Sequence, residues 1–428
     1  MSRRTAWTGV AASLLVIVAA TLRPLAAPVT GADAAPADPP PLFCLACGDL
    51  NGVDVLLNVL LFIPLGAMLA AATERWRQAV LAAASVSLLI ELLQVSVVTG
   101  RDATVSDLLT NSAGGMIGAT LVTWRHALLR PTPARARALA LLAASLAIAV
   151  MASTAHLLRP SIPRMGLWGQ WTPQRLQFEP YTGTLHDFEV DGFAIPYELV
   201  PAYERLRLAM LDGSNIARVR LTAGEPPSRL AVIARLGSRV QEVLLVGALR
   251  DALVYRTRLT SRDWGLRTPA LLVPQAFPAA GEPVIVEAGV RERAWYARVE
   301  SSRGVVTREL PFSVALFWNL ILPFDLPLSP ATRWLSALWL AGLVFPAAWW
   351  GGHAARGGAT RARRLAWWGG VMALLATALV IVPHLARFAP AAPTEWLGLL
   401  AGGVAALLLS PVGAPPPASP TPDDAFAR

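Results

Sequence analysis

Apolar residues along this chain gather into runs long enough to cross a bilayer, which takes roughly 20 residues of helix. Such runs predict about eight transmembrane helices, near residues 6–23, 53–73, 79–98, 106–124, 138–155, 332–350, 365–385 and 395–411. Residues 313–328 are also apolar, but Pro323, Asp325 and Pro327 interrupt them, so an interfacial or re-entrant segment is expected there. Between about 165 and 310 the pattern changes to short alternating runs, such as 216–222, 229–236, 241–247, 252–259, 283–290 and 294–300. Turn residues separate these runs, and that rhythm predicts a sandwich of short strands. The expected fold is therefore a mainly α-helical polytopic membrane protein with an extracytoplasmic all-β sandwich, jelly-roll-like, inserted between its membrane halves. The expected division is a first transmembrane helix or uncleaved signal anchor at 1–23 and a Pro-rich loop at 24–52. A four-helix membrane segment follows at 53–155, then the β domain at 156–312, three more helices within 313–411, and a tail at 412–428 without regular structure.

Composition sharpens this picture. Of 428 residues, 54% are hydrophobic and only 15% are charged, with a mean hydropathy of +0.49, which is far from the balance of a soluble chain. The formal charge of +9 comes entirely from arginine, with no lysine. These arginines sit beside the apolar runs rather than in a nucleic-acid motif, so a membrane rather than a nucleic acid is the expected partner. Arg3 and Arg4, then Arg75 and Arg77, then Arg125, Arg130, Arg135 and Arg137, then Arg356, Arg361, Arg363 and Arg364 fall on alternate sides of successive spans. By the positive-inside rule both termini are expected in the cytoplasm of a bacterial plasma membrane, with the β domain outside.

Polar residues inside spans are costly, and they normally face a partner or a water-filled cavity. Asp54 and Asn58 lie four apart on the second run. Ser87, Glu91 and Gln94 share one face of the third, and Asp107, Asn111, Gly114 and Gly118 share one face of the fourth. Arg101, between the third and fourth runs, is the expected counter-charge for Glu91 or Asp107. Asn58, Glu91, Gln94, Arg101, Asp107 and Asn111 are thus the candidate functional cluster, near the outer surface, the alternative being that they are hydrogen-bond glue between helices. Gly114 and Gly118 form a small-x-x-x-small face for close helix packing, and Pro64 interrupts a helix whose neighbours must satisfy the freed carbonyl.

The run Asn58-x-x-x-Phe62-x-Pro64-x-Gly66, then Glu91-x-x-Gln94, then Asp107-x-x-x-Asn111-x-x-Gly114-Gly115-x-x-Gly118 resembles the VanZ-like family over about residues 50–125. That resemblance implies an integral membrane protein of the cell envelope, in a family named for a component linked to resistance to the glycopeptide teicoplanin. It implies no reaction.

The β region is similar in architecture to the concanavalin A/laminin-G-like sandwich. Asp187, Glu189 and Asp191 put three carboxylates on one strand, with His186 beside them, and a solvated strand face is the expected reading. Trp168, Trp171 and Tyr181 could stack on a sugar or simply fill a core. Asp212-Gly-Ser-Asn215 reads as a turn or a calcium loop. The two cysteines, Cys44 and Cys47, are expected to pair as a short-loop disulfide. Neither a metal site nor a cofactor is expected, since no ligand set has the needed spacing. The expected function is binding of a membrane lipid or a lipid-linked cell-wall precursor at the outer leaflet, with a glycan or envelope protein as partner of the β domain. The alternative is a membrane enzyme acting on a lipid-linked envelope substrate through Glu91 and Asp107.

Overall fold

The computed structural model describes residues 2–22, 51–97, 104–174, 178–212, 215–238, 241–291, 293–354 and 361–410. Arg101, Cys44 and Cys47 lie outside these residues, as do the tail at 412–428 and the linker around 28–42. The described chain divides into two compact units, one of residues 1–125, 157–311 and 319–329, the other of residues 126–156, 312–318 and 330–428.

The first unit opens with four helices: α1 (Arg3–Thr21), α2 (Asn51–Thr73), α3 (Trp76–Val97) and α4 (Val105–Thr123). Small residues set their spacing. A Cβ at Gly66 would overlap the carbonyl oxygen of Gly115, and one at Gly118 would overlap that of Ile63. Gly114 meets Val59 in the same way, so α4 lies backbone against backbone along α2. Contacts advance together along the two helices, from Asn58–Asp107 to Gly118–Ala67, so they run parallel. The α3 helix runs against α4, meeting it at Ser87–Asn111, Ala83–Gly115 and Trp76–Thr120. In turn α1 runs against α2, with Gly9 on Met68. Pro64 sits inside α2 without ending it.

After α5 (Arg125–Leu129) and α6 (Pro133–Leu157), both largely in the second unit, the chain enters two antiparallel sheets. Their strands are β1 (Trp168–Trp171), β2 (Thr184–Val190), β3 (Phe193–Ala194), β4 (Ala217–Thr222), β5 (Ala231–Gly237), β6 (Glu242–Leu249), β7 (Ala252–Thr257), β8 (Ala270–Val273), β9 (Pro283–Arg291), β10 (Ala294–Ser301) and β11 (Gly304–Pro311). One sheet has the order β1-β5-β6-β7-β8 and the other β11-β10-β9-β4-β2-β3. In the six-stranded sheet, register places Phe188, Val219, Val286 and Val299 in one row across four strands, all buried. That row forms from alternation: on β4, Arg218 and Arg220 face out while Ala217, Val219 and Leu221 face in. The five-stranded sheet departs from strict alternation, because β5 and β6 are buried on both faces. The domain is also not purely β. A helix, α7 (Tyr203–Asp212), interrupts it, with Leu206 and Met210 fully buried at helical spacing.

The β domain touches the helices of its own unit at the start of α2. The backbone N–H of Val53, which has no acceptor within its own helix, donates to the carbonyl oxygen of Gly265 at 3.2 Å.

The second unit contains α9 (Arg333–His353), α10 (Arg361–Ala386) and α11 (Pro393–Leu409), preceded by the single turn α8 (Phe317–Leu320) at its border. Gly398 and Gly402 of α11 lie against the backbone of Ala337 and Ala341, so α9 and α11 pack in parallel. Trp350 donates from Nε1 to the carbonyl of Leu128, and Arg137 of α6 stacks over Trp367.

Six helices among the described residues are long and apolar enough to cross a membrane: α1, α2, α3, α6, α9 and α10. They coincide with six of the eight expected spans. The 19 residues of α4 fall outside this group, for Asp107, Asn111 and three glycines dilute their hydropathy. α11 is apolar but has only 17 residues. The chain is a multi-pass membrane protein carrying a two-sheet β domain.

Candidate functional site

Helix α4 begins with a built cap. Thr104 accepts the N–H of Asp107 on its hydroxyl at 3.1 Å, satisfying one of the donors a helix start leaves open. Its own N–H donates to Glu91 Oε2 of α3 at 3.2 Å. Asp107 in turn accepts from Asn58 Nδ2 of α2 at 2.6 Å. The chain Glu91–Thr104–Asp107–Asn58 therefore ties three helices at one end of the bundle. One turn deeper, Asn111 Nδ2 donates to Ser87 Oγ at 3.1 Å. Both are buried, Asn111 to 3% exposure, and its Oδ1 has no hydrogen-bond partner among the described residues.

Gln94 does something different from what its spacing with Glu91 suggested. Its amide donates to the carbonyl of Thr21, the last residue of α1, at 3.0 Å. It clamps α1 to α3 instead of joining Asp107. The six-residue cluster is thus two linked groups and a separate clamp, with Arg101 outside the described residues. Asp54 lies exposed one residue beyond the Val53 contact. Sequence spacing missed Thr104, although a threonine three residues before an aspartate at the head of an apolar run is the mark of a helix cap.

The glycines expected at the packing face are there. Gly66, Gly114 and Gly118 all lie in the α2–α4 seam, where only glycine fits. Gly115 also approaches Ala83 of α3, so α4 is wedged between two helices on adjacent faces.

Asp187 pairs with Arg220 across β2 and β4 at 2.6 Å, and Asp191 accepts the N–H of Ile216. A register shift between Leu185 and Asp187 breaks the even alternation of His186, Asp187, Glu189 and Asp191. Trp171 donates to the carbonyl of Ile195. Tyr181 lines a cavity of about 450 Å³ at the end of the sandwich opposite Gly265, together with Phe277, Arg250, Asp251, Glu225 and Arg303. Burial raises the Tyr181 phenol above its ordinary range. The 213–214 part of the expected calcium loop lies outside the described residues. No group of three or more His, Cys, Asp or Glu among the described residues is placed to hold a metal ion.

In the second unit, Glu395 is a polar residue the span pattern did not single out. Buried at the head of α11, it accepts from Ser313 Oγ and, at 3.2 Å, from the N–H of Ala392.

Comparison with curated proteins and with solved structures returned no match to the chain. A family model described as VanZ/LLP1 matches residues 12–128. That span runs from within α1 to the end of α4 and beyond, so α1, clamped by Gln94, belongs with the motif-bearing helices. The end of the bundle that holds Asn58, Glu91, Asp107 and Asn111 is therefore the polar end of a VanZ-like domain.

Proposed function

We propose that the polar end of the VanZ-like domain holds the headgroup of a membrane amphiphile, a lipid or lipid-linked cell-wall precursor, in the outer leaflet of a bacterial plasma membrane. The observation that supports this most is Asn111: a buried amide oxygen without a partner among the described residues costs about 1–3 kcal/mol unless something donates to it. Glu91 and Asp107 add carboxylate acceptors beside it. A headgroup that donates hydrogen bonds, through hydroxyl or ammonium groups, complements that set. The alternating arginine loops support the outer placement.

The rival reading, an enzyme using Glu91 and Asp107, gains nothing specific from this geometry. Each carboxylate already accepts a hydrogen bond that holds the bundle together. For the β domain we propose contact with an envelope glycan or protein at the far cavity, where aromatic and charged side chains meet. Arg250→Ala in the full protein should then weaken its co-sedimentation with purified peptidoglycan.

The lipid reading is tested in nanodiscs with acyl-labelled lipids. Phosphatidylethanolamine and phosphatidylglycerol, whose headgroups donate, should be enriched at the protein over phosphatidylcholine, whose headgroup cannot. Asn111→Leu should abolish the preference. Equal affinity for all three would end the proposal. In cells, the family's link to teicoplanin supplies a further readout, the drug's inhibitory concentration with and without the Asn111 change.

A further inference from the structure

One loop of the β domain, the connection between β7 and β8, reaches beyond the two sheets to the helices. Thr260–Trp264 form a 3-10 turn closed by Gly265 in the left-handed conformation. Several contacts hold this turn rigid. Asp263 binds Arg258 at 2.7 Å and also Ser161, while the N–H of Thr260 donates to the carbonyl of Arg159. The turn is pressed onto the start of α2. A Cβ at Gly52 would overlap the carbonyl oxygen of Trp264, and one at Gly265 would overlap Asn51. With the Val53–Gly265 hydrogen bond, this places the turn on the end of the bundle that carries the polar groups. Asn58 lies five residues along α2 from Val53, about 8 Å at 1.5 Å per residue. Within this turn Trp264 is 65% exposed on a fixed backbone.

A rigid exposed indole at the same end of the bundle as buried acceptors is a combination that suits a sugar. The ring's apolar face stacks on the indole while its hydroxyls donate to carboxylate and amide oxygens. We propose that the turn Thr260–Trp264 roofs the headgroup site and that Trp264 stacks on a sugar ring of the bound lipid's headgroup, an inference resting on the amphiphile-binding reading above. The site then belongs to both parts of the unit, and its ligand class narrows to lipids bearing a saccharide.

The test uses the full-length protein in nanodiscs and two acyl-labelled probes, monoglucosyl diacylglycerol and phosphatidylethanolamine. Both donate hydrogen bonds, but only the first carries a ring. Wild type should bind both, the glucosyl lipid more tightly. Trp264→Ala should weaken the glucosyl lipid roughly three- to tenfold, the size of one aromatic contact. Its effect on phosphatidylethanolamine should be smaller, and Trp264→Phe should restore the glucosyl lipid. Equal losses on both probes, or no loss on the glucosyl lipid, would overturn the role of Trp264. Wild type that binds phosphatidylethanolamine but not the glucosyl lipid would refute the saccharide class alone. Wild type that binds neither probe would remove the underlying amphiphile site as well.

Discussion

Asn58 and Asp107 show how a polar pair in a span acts as a unit. Replacing Asn58 takes one donor from the Asp107 carboxylate, whereas replacing both by leucine removes the two polar groups together. Asn58→Leu should therefore lower the melting temperature in detergent more than Asn58→Leu with Asp107→Leu, as followed by thermal fluorescence. A larger drop for the double change would mean that the pair is not coupled. In the β domain, burial raises the Tyr255 phenol well above its ordinary value while its hydroxyl donates to the carbonyl of Asn215. A phenol that stays protonated in the folded state while the unfolded chain ionises makes stability fall as pH rises. The loss should begin above the usual phenol value of about 10 and be absent below it. Comparing melting curves of wild type and Tyr255→Phe from pH 8 to 11 checks this, since the difference between them should shrink as pH rises.

At the scale of elements, the α2–α4 seam explains why part of the site was readable in advance and part was not. Helical spacing placed Asp107, Asn111, Gly114 and Gly118 on one face, and backbone contact with α2 needs such a face, so those residues were legible. Gln94 was not. Its spacing from Glu91 fixes the angle around α3, but at this end of the bundle that face meets both α1 and α4, and only packing decides which neighbour receives the amide. The helix α7 escaped for another reason: it is short and strongly charged, and tertiary burial of Leu206 and Met210 stabilises it more than any local pattern does. The seam itself predicts a steep response to volume. Gly118→Leu should disrupt the α2–α4 contact and cost about 1–3 kcal/mol or more, as overpacking does. Gly369→Leu, at a site with nothing nearby, should be close to neutral in the same detergent melting assay.

Across the whole molecule, the arginine loops imply one orientation for both termini and the β domain. Labelling tests it: Glu225→Cys, an exposed position in the β domain, in a background with Cys44 and Cys47 replaced by serine. A membrane-impermeant maleimide should react with intact cells. Reaction only after permeabilisation would invert the topology and move the polar end of the VanZ-like domain to the cytoplasmic leaflet.

The hydrogen bond from Val53 to Gly265 also orders events in time. At about 5–20 residues per second, the ribosome delivers Gly265 on the order of ten to forty seconds after Val53. Through that interval the head of α2 is in the membrane without the acceptor it finally uses. Water, headgroups or the insertion machinery must supply one, and the β domain must later displace it. Maturation therefore includes a step in which the β domain closes onto helices made well before it, and until then the head of α2 is not covered by the turn that ends at Gly265.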